Sequence, residues 1–305
     1  MRTFLFTVVT FVLLAGTAAA EPGAGPPPTQ VTIAASREEL KSRVSAFVSD
    51  ITRQDAGSSD AGFSLQQPIA VWNWPLCFSV SGLPEDQGIY VLNRISDAAD
   101  AAGAPLAKDN KCHPNFVVVA TSEPEKLLRA WYHHDQLIYN CAFPMPVNEF
   151  VGTPRAVRVW YNMDLSLAFP GRPGTVDPAH AAHSLYRRCG RTPVAAGWTG
   201  SRVTSRLVPD FLSVLVVVDL KLVKGYQWAQ VADYIAMSGL AKINRNRSVA
   251  DAPSVLNLFD LSAAAAPSSL TNWDRAFLKA LYNTDEHVAR QRVAVVNQMV
   301  NEIQP

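Results

Sequence analysis

Residues 75–121 read PLCFSVSGLPEDQGIYVLNRISDAADAAGAPLAKDNKCHPNFVVVAT, and the spacing of apolar residues along this stretch decides the fold class. Leu76–Ser81 (LCFSVS) suits a short strand, and Gly82-Leu83-Pro84 turns the chain into a helix. Ile89, Leu92, Ile95, Ala99 and Ala102 then recur at helical spacing, and Gly103 suits the stop. Asn115–Thr121 (NFVVVAT) has the continuous apolar character of a buried strand. Strand, helix and strand in this order make a β-α-β unit, whose right-handed crossover predicts two parallel, neighbouring strands.

Downstream, Ser122 with Glu125 three residues on forms a capping-box pattern for a helix presenting Leu127, Leu128 and Trp131. Arg155–Tyr161 (RAVRVWY) alternates like a third strand, and Ser213–Asp219 (SVLVVVD) reads as a fourth, buried one. Between them, 162–204 is a long Pro/Gly-rich insertion expected to lie on the surface as a loop. Gly225 precedes a helix over 226–243 with an apolar stripe of Ala232, Ile235, Ala236, Gly239, Leu240 and Ile243. Two helices close the chain. Thr271 and Asp274 cap the first, which buries Trp273, Phe277, Ala280 and Leu281; Asn283 and Glu286 are expected to cap the second, with Val288, Val295, Val296, Met299 and Ile303 inward. The expected fold is α+β: a mixed sheet of about four strands with a β-α-β start, packed by several helices.

Upstream, Arg2, the apolar run Phe4–Leu14 and Ala18-Ala19-Ala20 have the form of a cleavable export signal over 1–20. The run is well short of the ~20 residues that span a bilayer. Residues 21–36 are a Pro-rich linker, whose start, EPGAGPPPTQ, favours stiff extended chain. Residues 37–74 hold an amphipathic helix, 37–52, and a loop, and 75–305 form one α+β domain. No later segment is long and apolar enough to span a membrane, so the mature chain is expected to be periplasmic or secreted. Across 305 residues, 27 Lys and Arg balance 26 Asp and Glu, which removes the electrostatic case for nucleic acid as a partner.

Four cysteines, Cys77, Cys112, Cys141 and Cys189, suit an oxidising compartment and allow two bridges by three connectivities. The favoured pairing is Cys77 with Cys112 and Cys141 with Cys189, because the first two stand at the starts of adjacent strands.

Catalytic motifs are sparse. Gly-x-Ser-x-Gly, Gly-x-Gly-x-x-Gly, a phosphate-binding loop and an EF-hand pattern are all missing, and no cofactor is expected. His180 and His183, with Asp177 nearby, have metal-ligand spacing if their segment is helical. His133-His134-Asp135 reads better as a helix end, where histidines favour the negative pole of the dipole. Within the insertion, Arg187, Arg188, Arg191, Trp198 and Arg202 are the candidate binding-loop residues, being of types favoured at interfaces.

The stretch Ala232-Asp233-Tyr234-Ile235-Ala236-Met237-Ser238-Gly239-Leu240 aligns with the zincin pattern His-Glu-x-x-His-x-x-Gly-Leu at its Gly-Leu ending and at the acid. Farther on, Ser254-Val255-Leu256, Leu270-Thr271 to Asp274 and Leu278-Lys279-Ala280-Leu281-Tyr282 are similar to the tail of bacterial zincin-like domains. There, a Ser-Ile turn and an Asp-to-Leu-Tyr helix follow the active helix. The order strand, helix, strand, helix, strand, strand, helix also resembles the upper subdomain of that fold. From Pro75 onward the chain further resembles a family of uncharacterised exported bacterial proteins, with Cys-x-x-x-x-Gly-Leu-Pro over 77–84 and Cys-x-Pro-Asn over 112–115. The resemblance implies a metalloprotease-like domain without its metal ligands, because both histidine positions are alanine. An ordinary buried helix would carry alanines there equally well, and under both readings the helix is not catalytic.

The sequence thus leads to an exported, non-catalytic binding or accessory protein whose partner is a protein or other envelope component. The alternative is a peptidase-like envelope hydrolase whose site is not visible as a motif, with His180, His183 and Asp177 the first residues to test. Non-reducing peptide mapping is expected to recover Cys77 linked to Cys112 and Cys141 linked to Cys189; a Cys77–Cys141 or Cys77–Cys189 peptide would overturn this pairing.

Overall fold

The computed structural model describes residues 28–52, 68–108, 111–134, 138, 147–167, 207–244, 249, 251–262, 264–285 and 290–304. It is an α+β fold on one four-stranded mixed sheet. The β-α-β start is β1 (Phe78–Ser81), α2 (Glu85–Ala102) and β2 (Phe116–Thr121), preceded by α1 (Pro28–Thr52). Then come α3 (Pro124–His134), α4 (Val147–Gly152), β3 (Val157–Leu167), β4 (Leu207–Asp219), α5 (Trp228–Leu240), a 3-10 turn at Val255–Asn257, α6 (Asn272–Asn283) and α7 (Gln291–Ile303). The sheet order is β1-β2-β4-β3; β1, β2 and β4 are parallel and β3 runs antiparallel to β4.

Alternation along the strands explains their nearly all-apolar composition. Val214, Val216 and Val218 of β4 join the larger core with Phe116 and Val118 of β2 and Val159 and Tyr161 of β3. The intervening Leu215 and Val217 face a second core with Trp160, Leu128 of α3 and Phe150 of α4. A strand with helices on both faces has no solvent side on which to place polar residues. The face bearing α2 and α5 is backed by α1, α6 and α7.

The sequence motifs near β1 are consumed by this architecture. Cys77 and Cys112 form a disulfide with Cα atoms 6.0 Å apart. Asn115 is buried, its Oδ1 accepting from Cys77 N at 2.8 Å and its Nδ2 donating to Pro75 O at 3.0 Å. Gly82 has φ +81°, and a Cβ there would lie 1.9 Å from Ala120 O, so only glycine fits the turn.

Several boundaries differ from the sequence expectation, for local reasons. α1 begins at Pro28, so the end of the Pro-rich stretch is helical; proline suits a first turn, where its missing N–H would have had no partner. The main core also extends upstream of Pro75, taking in Val44, Phe47, Ile51 and Ile69–Trp72. Residues 162–167 belong to β3 rather than to the insertion, and β4 starts at Leu207, ahead of the expected Ser213: β3 and β4 stay paired past a register shift at Asn162/Met163, where Leu212 has no opposite number. On α2, Val91 rather than Ile89 starts the core stripe, because two residues is more than half a turn; Ile89 stays 52% exposed. α3 starts at Pro124, and Thr121 Oγ1, not Ser122, accepts from Glu123 N at 3.1 Å. Asn283 ends α6 instead of capping α7, whose N-cap is Arg290. Cys141, Cys189, Asp135, Glu286, Val288 and the signal segment lie outside the described residues.

Arg158 of β3 is 1% exposed on the α3 side of the sheet. Its Nε donates to Thr153 O at 3.0 Å and its Nη2 to Glu125, while Nη1 has no partner among the described residues. Desolvation opposes ionisation of Glu125 but is outweighed by its own backbone N–H and by Arg158, so its pKa lies below the usual carboxylate value. A depressed folded-state pKa contributes stability that is present above the unfolded value of about 4.3 and is lost as pH falls through the folded value. Glu125→Gln is therefore expected to destabilise the protein at neutral pH, with a penalty that fades below about pH 4. Urea midpoints of both proteins across pH measure this; a pH-independent penalty would contradict it.

Candidate functional site

The helix singled out by the sequence, α5, is buried on nearly every side, from Gln230 to Leu240 except Tyr234. Ala232 and Ala236 are 0% exposed and belong to the main core. Neither methyl group offers a donor atom, so this helix does not fit a catalytic zinc, which needs about three protein ligands and an open position.

Asp233, the acid of that stretch, is 3% exposed, and both of its oxygens accept hydrogen bonds. Arg94 of α2 clasps it with both arms, Nε to Oδ1 at 2.7 Å and Nη2 to Oδ2 at 2.8 Å. Leu270 N adds a 2.6 Å bond to Oδ2, and Arg94 Nε also reaches Ala229 O at 3.1 Å. The hydrogen bond to Asp233 is the largest influence raising the Arg94 pKa above its ordinary value. The carboxylate thus fastens α2, α5 and the turn before α6 to one point.

At the other end of α5, three successive carbonyls lack helical partners and are each met by an aromatic donor from a different element. Tyr161 Oη of β3 donates to Ser238 O at 2.6 Å, Trp72 Nε1 to Gly239 O at 3.0 Å, and Tyr282 Oη of α6 to Leu240 O at 2.7 Å. Desolvation pushes the Tyr282 hydroxyl far above its usual pKa, which keeps it a neutral donor. Gly239, the glycine of the Gly-Leu ending, has ordinary helical φ; its role is close packing, since a Cβ there would lie 2.2 Å from the Phe116 ring.

The tail motif is likewise internal. Asp274 is 0% exposed and accepts from Ser254 Oγ at 2.6 Å, Val255 N at 2.8 Å and Thr271 N at 2.8 Å. Burial pushes its pKa above the usual carboxylate range despite these donors. Thr271 Oγ1 accepts from Asp274 N at 3.2 Å and has two acceptors within reach of its own proton, Pro253 O at 2.6 Å and Asp274 Oδ2 at 2.8 Å. Ser254 is 0% exposed as well, and neither side chain is open to a substrate.

Beside the Arg94–Asp233 pair a cleft of about 490 Å³ opens, bordered by Asp97, Arg275, Lys279 and Glu302. Lys279 and Glu302 pair at 2.8 Å, so the cleft carries no field of one sign. His180, His183, Asp177, Arg187, Arg188, Arg191, Trp198 and Arg202 lie outside the described residues. Among the described residues no three His, Cys, Asp or Glu side chains are grouped to hold a metal, and no helix is long and apolar enough to cross a membrane.

Sequence reasoning missed Arg94, Trp72 and Tyr161, and had Tyr282 only as the end of the tail motif, without its bond to α5. No local signal marks the bonds these residues make, because each acts at least 42 positions away from its partner. Comparison of the chain with family models, with curated proteins and with solved structures finds no match in any of the three.

Removing Arg94 leaves a buried carboxylate without its counter-charge. Arg94→Met is expected to cost about 2–4 kcal/mol, somewhat less than a fully buried pair because Arg94 is partly solvated. Adding Asp233→Leu should recover part of that loss in urea unfolding. A double variant no more stable than Arg94→Met alone would contradict the ion-pair account.

Proposed function

We propose that the chain is an exported, non-catalytic binding or accessory protein of the cell envelope, built on a degenerate zincin-like domain. The observation that carries this reading is the state of α5: methyl groups packed at 232 and 236, and an acid at 233 whose oxygens are bound by Arg94 and Leu270 N. A zincin helix turns these three positions toward metal, water and substrate. Here they hold the molecule together. The order of elements along the chain, with α4 as an addition, supports the reading.

Export is supported by the N-terminal signal pattern and by the Cys77–Cys112 bridge, which persists in oxidising compartments. With the catalytic positions spent on packing, the remaining role for such a domain is to bind, and its partner is a protein or other envelope component.

Natively purified, chelator-free mature protein is expected to contain no stoichiometric zinc by metal mass spectrometry, and chelators should leave its properties unchanged. Stoichiometric zinc, or peptide hydrolysis abolished by chelators and by Asp233→Asn, would overturn the reading. His183→Ala would then be the first ligand variant to make.

A further inference from the structure

A second cavity, of about 340 Å³, lies beyond the carboxyl end of β4, away from the Arg94–Asp233 cleft. Its floor includes Val157, Ile243 and Val249, all buried, and its wall includes Tyr226, Tyr234 and Phe259. The rings are locked edge to face: Tyr226 and Tyr234 stand 5.1 and 4.8 Å from Phe259 at interplanar angles of 75° and 65°. Tyr226 Oη is further pinned to Leu261 O at 3.0 Å. An aromatic wall held this way is already organised before any ligand arrives, which removes an ordering cost from binding.

Among the described residues two charged side chains border the cavity, Arg155 and Asp260. Arg155 is engaged in an interaction of its own. Asp260 is exposed, and among the described residues its carboxylate makes no ion pair or side-chain hydrogen bond. Leu222, 45% exposed, also borders the cavity, and Leu261, 42% exposed, follows Asp260 in the chain, so apolar surface continues outward. Aromatic rings carry negative potential on their faces and attract organic cations, and a carboxylate beside them adds to that attraction. The volume is at the small end of ligand pockets, ~300–1,000 Å³.

We infer that this cavity is a binding site for a small organic cation, an ammonium group on an apolar or aromatic body, with Asp260 facing the charge and Tyr226, Tyr234 and Phe259 enclosing the body. The site deepens the binding reading above and rests on it. Such a group is presented by a free amine or by a basic side chain next to an apolar one in a peptide.

The test is calorimetric titration of the full mature protein with phenethylamine as the probe, against phenylacetate as its anionic counterpart and N-acetyl-Phe-Lys-amide as the peptide form. Saturable binding of phenethylamine, with phenylacetate at least about tenfold weaker, is the expected result. Asp260→Asn, an exposed substitution, should weaken the amine by about tenfold, and Ala156→Leu, which fills the cavity without touching a charge, should abolish binding while circular dichroism shows an intact fold. Binding of the dipeptide but not of the free amine would overturn the free-amine source and keep the cationic peptide. Failure of both cations to bind, preference for phenylacetate, or indifference to Asp260→Asn would overturn the site. None of those failures bears on zinc content or peptide hydrolysis, so the binding reading of the whole protein stands or falls separately.

Discussion

The C-terminal turn of α5 is the constraint around which the main core is arranged. A helix end inside a protein leaves carbonyls that water cannot reach, and each must find a donor or cost roughly 1–3 kcal/mol. Here the donors are Trp72, Tyr161 and Tyr282, drawn from the segment before β1, from β3 and from α6. Large aromatic side chains bring apolar bulk and one polar atom together, so a single residue fills space and satisfies the backbone. The same turn holds Gly239 against Phe116 of β2, which sets how closely the helix lies on the sheet. The N-terminal segment, the sheet edge strand and the last helices are thereby tied to one end of one helix.

The N-terminal half of α5 is tied by charge instead. Asp233 accepts three hydrogen bonds from Arg94 and Leu270 N, and the pair lies where α2 crosses α5. A buried ion pair gains little over apolar packing, but its geometry admits few alternative arrangements of the helices around it. The 254–274 clamp has the same character, with Ser254, Thr271 and Asp274 joining the 3-10 turn to α6. Residues that resemble catalytic motifs in the sequence are thus polar fasteners in the fold. If the domain descends from a zincin, the helix has exchanged metal coordination for core packing, since alanines at 232 and 236 extend its apolar face rather than interrupt it.

Much of the fold was legible because its periodicities are uninterrupted. SVLVVVD could only be a strand covered on both faces, and the Thr271–Asp274 capping box has the form that the sequence pattern predicts. The parallel pairing of β1 with β2 followed from one helix between two strands. What failed was decided by a residue or two of phase: Ile89 against Val91 on α2, and Asn283 as the end of α6 rather than the start of α7. The strand residues inside the expected insertion were hidden because a register shift interrupts the alternation beyond Asn162.

By itself the sequence determined the α+β class, the four strands, the parallel start and the absence of metal ligands at 232 and 236, because these depend on local spacing and on which atoms a side chain possesses. Only the tertiary structure decided that Asp233 is an internal anchor rather than a surface acid. Only it brought three distant aromatics onto the end of α5, and set Tyr226, Tyr234, Phe259 and Asp260 around one cavity. The physical reason is the same in each case. Burial and partnership belong to pairs of residues far apart in the chain, and the period of a helix or strand carries no information about which distant group will arrive to meet it.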